Sequence, residues 1–217
     1  MMQEIRQKPE TPEVNAPEKP GFTEIRPETG LSPDQARDYV DRLFQDPRDT
    51  QDGYYNSLED RLAHCPLDGL RGQWTPTRGE SRFIPSDETD AGRAARDRLA
   101  EKGMDGIEYK NCEPDFSRCA ETTVTIDNMT EYRYGNFCQA DEKCAEQWND
   151  SRRDGRSDWQ ASEARDWRHE NDLTWHERSD TRTMDLVSYD IHSYFGHSGG
   201  CSECRLRDAG DSGGFDE

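Results

Sequence analysis

Residues 171–200 read NDLTWHERSDTRTMDLVSYDIHSYFGHSGG. The run divides into three pieces. Leu173–Trp175 is a first apolar stretch, and Ser179-Asp180 is turn chemistry. Thr183–Val187 alternates weakly and ends in Leu-Val, the pattern of a half-buried strand. Ser188 can cap a helix with Asp190 in its first turn, so a short helix is expected to run to about Phe195 and stop at Gly196. Three of the five histidines lie on this unit: His176 at the end of the first strand, His192 on the helix and His197 beyond it. A lone histidine is usually a packed or solvated side chain, but three on one strand–helix unit point to a site. Five positions on a continuous helix turn by about 140°, so His192 and His197 converge only if the helix ends between them.

Outward from this unit, Ser157–Gln160 reads as a capping box opening a helix to about His169, with Trp159, Ala164 and Trp167 facing inward. Gln139–Trp148 is expected to be helical, with Ala140, Cys144 and Trp148 on one stripe. Thr122–Ile126 is β-branched and alternating, hence a strand. Asp90 is expected to cap a helix over Ala91–Lys102, ended by Gly103. Residues 46–80 are rich in turn signals, with a short helix near Leu58–Ala63. Ser32-Pro33 and Gln35 open an amphipathic helix that puts Ala36, Tyr39, Val40, Leu43 and Phe44 on one face. Residues 1–30, rich in Pro, Glu and Thr, read as a disordered tail. After Gly200 there is little to bury, so the C-terminal tail is expected to fray. The organisation is therefore a tail at 1–30, an amphipathic helix and linker at 31–68, a folded α+β domain at 69–208 and a flexible terminus at 209–217.

Composition sets bounds on function. Only 30% of the 217 residues are hydrophobic and 35% are charged, so a modest core with long solvated stretches is expected. The formal net charge of −19 opposes nonspecific binding to nucleic acid, and any phosphate must be neutralised locally. That charge also motivates an alternative reading as an acidic inhibitor or DNA mimic. No apolar run reaches the roughly 18 residues of a membrane span, and the N-terminus lacks the apolar core of a secretory signal. The expectation is a protein without a membrane span, cytoplasmic as synthesised, whose export would need a specialised machine. The seven cysteines are odd in number and read as free thiols. Cys201-x-x-Cys204, with Cys138 and Cys144, is the alternative basis for a zinc-stabilised binding protein.

The strand–turn–strand–helix unit with its histidines has the layout of a ββα-metal nuclease site. Its motifs Thr174-Trp175-His176-Glu177, Met184-x-Leu186-Val187, Ile191-His192 and His197-Ser198-Gly199-Gly200 resemble the HNH/endonuclease VII superfamily. The nearest members are bacterial polymorphic-toxin nucleases with a Trp-His-His-like signature. Arg78-Gly79-Glu80-Ser81, Gly106-Ile107-Glu108-Tyr109, Pro114-Asp115-Phe116-Ser117 and Asn136-Phe137-x-Gln139-Ala140-Asp141 extend the resemblance over about Gly69–Asp208. The chain departs from the pattern at Ser188, where proline is usual, and at Glu177, where many members carry a second histidine. The resemblance implies a ββα-metal (His-Me finger) nuclease core with surrounding helices. It also implies a divalent ion (magnesium, manganese, nickel or zinc), a nucleic-acid substrate with DNA favoured, and a toxin or effector role with a cognate immunity protein.

The resemblance assigns His176 and Glu177 to the general-base and first-ligand positions, and His192 and His197 to the helical side. His176 is the favoured base, because imidazole titrates near neutral pH, with Glu177 then a ligand or orienting partner; the reverse assignment stays open. His197 is the first choice of metal ligand. His192 is the second, as a ligand or as the residue that positions the attacking water. Arg78, as a phosphate holder, and Glu80, orienting a histidine, are supporting candidates, with a plain ion pair as the competing role.

Overall fold

The computed structural model describes residues 54–211. The expected tail at 1–30, the amphipathic helix after Ser32 and the segment 212–217 lie outside the described residues. The architecture is α+β. Helix α1 (Leu58–His64) precedes a hairpin of β1 (Gly72–Thr75) and β2 (Arg82–Pro85), helix α2 (Asp90–Glu101), β3 (Ile107–Lys110) and β4 (Glu113–Pro114). These four strands form one antiparallel sheet in chain order. Then come β5 (Thr122–Thr125), the long helix α3 (Arg133–Asp150) and α4 (Ala161–Glu170). The chain continues through β6 (Leu173–Glu177), β7 (Thr183–Ser188), α5 (Tyr189–Tyr194) and α6 (Gly200–Asp211). The second sheet has the order β5-β7-β6. Among the described residues, no helix is long and apolar enough to cross a membrane.

Position in this second sheet explains where β7 differs from expectation. It was read as half-buried, but it is the central strand, with Met184, Asp185, Leu186 and Val187 all buried. Two hydrophobic clusters meet across it. Val187 joins Phe83, Leu99, Ile107, Phe116, Ile191 and Phe195. Met184 and Leu186 join Ile126, Ala140, Cys144, Trp148 and Trp175. Asp185, with no exposure, is held by Arg178 in a two-pronged pair (2.6 and 2.9 Å) and by the Thr123 hydroxyl (2.6 Å). Asp180 accepts instead from the backbone of its own turn, at Arg182 and Thr183.

The helices follow their local signals with shifted ends. Thr89, not Asp90, caps α2, its hydroxyl accepting from Gly92 N–H at 3.0 Å. The capping box of α4 is Gln160 with Glu163 rather than Ser157 with Gln160. Helix α3 buries Ala140, Cys144 and Trp148 at helical spacing, as expected, but starts earlier, at Arg133. Asn136 makes that start, bonding both the N–H and the C=O of Thr130.

Two segments are more ordered than their composition suggests. The chain beyond Gly200 was expected to fray, yet it forms α6, which buries Cys204 and Glu203 completely. Helix α1, read as part of a linker, leads into Cys65, which is buried in the first cluster. All seven cysteines are free thiols, and Cys138 is exposed while Cys144 is buried, so the two do not form a metal pair with Cys201 and Cys204.

One buried polar network ties the second cluster together. Arg168 clamps Asp141 with two bonds of 3.0 Å, and the Trp175 indole N–H donates to the same carboxylate at 2.8 Å. Both charged side chains are almost fully buried. Asp141→Ala strands a guanidinium and an indole N–H, so it is expected to cost about 3–5 kcal/mol, read as a fall in the urea midpoint. A loss below about 1 kcal/mol would show that the network is not a stabilising element.

Candidate metal centre and active site

Strand β6 delivers His176 and Glu177 side by side, His176 opposite Asp185 of β7. Helix α5 carries His192 in its last turn, and its end at Tyr194 is what allows the third histidine to return. Phe195 leaves the helix with φ −88° and ψ 91°, and Gly196 lies so close to the backbone that a Cβ there would sit 2.7 Å from the His64 carbonyl. The chain therefore turns, and His197 comes back beside His192. The condition set by helical periodicity is met by a helix end.

The three imidazoles form one cluster. Ring centroids are 4.7 Å apart for His176 and His197, 5.3 Å for His192 and His197, and 5.5 Å for His176 and His192. Each offers a nitrogen within 4.8 Å of the others, and among the described residues this is the one group of side chains so arranged. Phe116 packs edge-on against His176 at 4.8 Å and touches the other two rings, forming an apolar floor. His176 is fully buried, and both of its ring nitrogens lack a hydrogen-bond partner. A buried, unsatisfied imidazole is costly unless something occupies its lone pair. His197 donates Nδ1–H to the Phe195 carbonyl at 2.7 Å, which leaves its Nε2 lone pair free to ligate. An all-nitrogen set with these features fits a borderline divalent ion such as zinc or nickel.

Electrostatics keep the cluster neutral. Burial, followed by the neighbouring histidines, lowers His176 well below the usual imidazole value. Burial and His197 lower His192 to about 3. Burial lowers His197 to about 4, against the opposing pull of the Phe195 carbonyl.

Glu177 stands apart from the three-nitrogen group and lines an open cleft of about 430 Å³ together with His192 and His197. One oxygen accepts from the Cys201 thiol (3.2 Å) and the Asn136 amide (3.5 Å), and the other lies 3.3 Å from the Arg133 guanidinium. Burial and the adjacent carboxylate push the Cys201 thiol up to about 12, which favours the neutral thiol that donates to Glu177. Arg78 and Glu80 are elsewhere. Arg78 donates to the carbonyls of Leu62, Cys65 and Pro66, and Glu80 accepts from Asn111 N–H. Neither lines the cleft, and both brace the first half of the fold. His64, Arg133 and Arg205 also line the cleft, and His64 and Arg205 carry no motif signal in the sequence. His64 fell in an assumed linker and Arg205 in an assumed frayed tail. Arg133 belongs to the same run of motif residues as Asn136, without a site role assigned from the sequence.

Because the folded-state values of these histidines lie below the roughly 6.5 of an unfolded chain, the unfolded chain takes up protons first as pH falls. Stability of the metal-free protein is therefore present above about pH 6.5 and declines on acidification toward pH 4. His192→Gln is expected to flatten the slope of melting temperature between pH 7 and 5. An unchanged slope would mean that the cluster does not carry this sensitivity.

Against known proteins, residues 106–199 match the sequence model of the Colicin-DNase family, the DNase/tRNase domain of colicin-like bacteriocin. No curated protein matches the chain. The matched segment begins just before β3 and ends after His197, so it contains Phe116, Glu177 and all three clustered histidines. This similarity supports a nuclease toxin of the colicin type.

Proposed function

We propose that the chain is a metal-dependent endonuclease of the ββα-metal type, acting as a bacterial toxin on the nucleic acid of a target cell. The observation that carries this reading is the convergence of three neutral imidazoles, one of them buried with both nitrogens unsatisfied, beside an open cleft lined by Glu177. His176, His192 and His197 would hold the divalent ion. When bound, such an ion offsets negative charge on the phosphate and on the leaving 3′ oxygen.

Both residues are buried, His176 fully and Glu177 to 3% exposure, and their proposed roles rest on Glu177 lining the cleft while His176 does not. His176 is fully buried edge-on against Phe116 and belongs to the three-nitrogen group, so it is assigned as a ligand rather than as the base favoured from sequence. Glu177 faces the cleft and is the assigned proton acceptor for the attacking water. Asn136 and Cys201 fix one of its oxygens and Arg133 pairs with the other. That grip orients the carboxylate while leaving it beside the cleft. Arg133, exposed over most of its guanidinium, is placed to meet a phosphate entering there.

DNA is the favoured substrate, in keeping with the resemblance of the motifs. A cognate immunity protein and delivery into a target cell are the corresponding expectations.

The test is cleavage of plasmid DNA and of tRNA in the presence of magnesium, manganese, nickel or zinc. His197→Ala is expected to weaken nickel binding on the order of 100-fold, as measured by calorimetry, and to abolish cleavage. Glu177→Gln is expected to retain nickel affinity and to lose about 10²–10⁴ in rate, the range for a general acid–base group. A parent protein that leaves both substrates intact with every ion would overturn the assignment.

A further inference from the structure

We propose that His64 and Arg205 form a phosphate-binding wall of the cleft, gripping the nucleic-acid backbone beside the scissile bond, and that Glu203 latches together the two segments that carry them. The identity of the ligand rests on the nuclease reading above; the wall itself is read from geometry. Both residues line the same cleft as Glu177, His192 and His197. Both come from elements outside the span that matches the bacteriocin family, His64 from α1 and Arg205 from α6. His64 is not part of the three-nitrogen group, so its place in the cleft is separate from holding an ion.

Each side chain is poised rather than consumed. His64 donates Nδ1–H to the Asp60 carbonyl at 2.8 Å, which fixes the ring and leaves its Nε2 edge for a ligand. That edge of a histidine donates to a phosphate oxygen whenever both ring nitrogens carry hydrogen. Arg205 pairs with Glu131 at 3.0 Å, and its guanidinium is 66% exposed. Exposed pairs of this kind contribute little and exchange readily. In a chain of net charge −19, binding a polyanion requires such cations to be concentrated at the site of attack. Arg133, the other arginine of the cleft, pairs with Glu177.

The latch is Glu203, a carboxylate with no exposure at all. It accepts from the backbone N–H of Tyr55, from that of Asn56 at 3.0 Å and from the Asn56 side-chain amide at 2.7 Å. Asn56 also donates to the Ser202 hydroxyl at 3.2 Å. These bonds tie the approach to α1 directly to α6. A second tie runs from the Tyr54 hydroxyl to Glu113 at 2.9 Å, and a third from Arg61 to the Asn111 carbonyl at 2.7 Å. The segment that carries His64 is thus anchored on both the C-terminal helix and the first sheet.

The experiment is fluorescence anisotropy of a labelled DNA oligonucleotide with the metal-free full chain between 50 and 200 mM salt, alongside nickel calorimetry. His64→Ala and Arg205→Ala are each expected to weaken binding by about fivefold to tenfold and to lower the salt slope by about one, the mark of one lost phosphate contact. Nickel affinity stays at the parent value. Arg165→Ala, on an exposed arginine outside the cleft, serves as the control with an unchanged slope. Glu203→Gln and, at the opposite end of the latch, Asn56→Ala are expected to weaken DNA binding while nickel binding and circular dichroism persist.

Parent-like slopes for both His64→Ala and Arg205→Ala overturn the wall, and loss of nickel affinity in His64→Ala makes that residue a ligand and overturns it equally. Parent-like DNA binding in both Glu203→Gln and Asn56→Ala overturns the latch. Reduced slopes in a protein that never cleaves leave the wall standing and overturn the nuclease reading. Cleavage lost in His197→Ala with unaltered slopes in the wall variants does the reverse.

Discussion

Three imidazoles gathered on one aromatic floor are compatible with each other only while the rings stay neutral, each with a single N–H. That mutual exclusion is the constraint on which the site depends. Two charged rings at centroid separations near 5 Å, inside a buried cluster, would repel strongly where water cannot screen them. The fold enforces neutrality by burial: Phe116 lies beneath the rings, β7 carries His176 on its neighbour β6, and Phe195 turns the chain so that His197 closes the set. The same burial that suppresses protonation presents free lone pairs at one point. A cluster built in this way could hold a cation.

The different surroundings of His176 and Glu177 follow from their places on one strand. Neighbours on a strand point to opposite faces, so one of the pair must face the cluster while the other faces the cleft. His176 takes the first position and Glu177 the second. The carboxylate is then oriented by three donors from two separate elements, Asn136 and Arg133 near the start of α3 and Cys201 at the start of α6. A helix that begins at Arg133 rather than at Gln139 is what brings two of them within reach.

Much of this was legible in the sequence, because the informative signals were local. The two strands and short helix of residues 171–200 follow from apolar runs, turn residues and a cap. The stripe of Ala140, Cys144 and Trp148 follows from helical spacing. What was not legible depended on partners distant in the chain. Glu203 reads as a solvated acid until Asn56 is brought to it, and without that pairing α6 has no evident reason to form. β7 reads as half-buried because alternation reports only one strand at a time, and its central place is decided by β5 pairing on its other edge. Arg78 and Glu80 carried motif chemistry, but their polar atoms are spent on backbone groups of α1 and the β3–β4 turn. His64 was overlooked for the same reason: its segment has turn-like composition, and only the tertiary fold shows that it walls the cleft.

The sharing of β7 between both hydrophobic clusters has a wider consequence. Val187 belongs to one core and Met184 and Leu186 to the other, so neither half of the domain keeps a complete interior if this strand is withdrawn. The imidazoles depend on the same strand: His176 lies on β6, which pairs along it, and His192 on the helix that follows it. Loss of order therefore cannot be confined to one lobe: melting is a concerted event, and any bound cation is released in the same step that dissolves the fold.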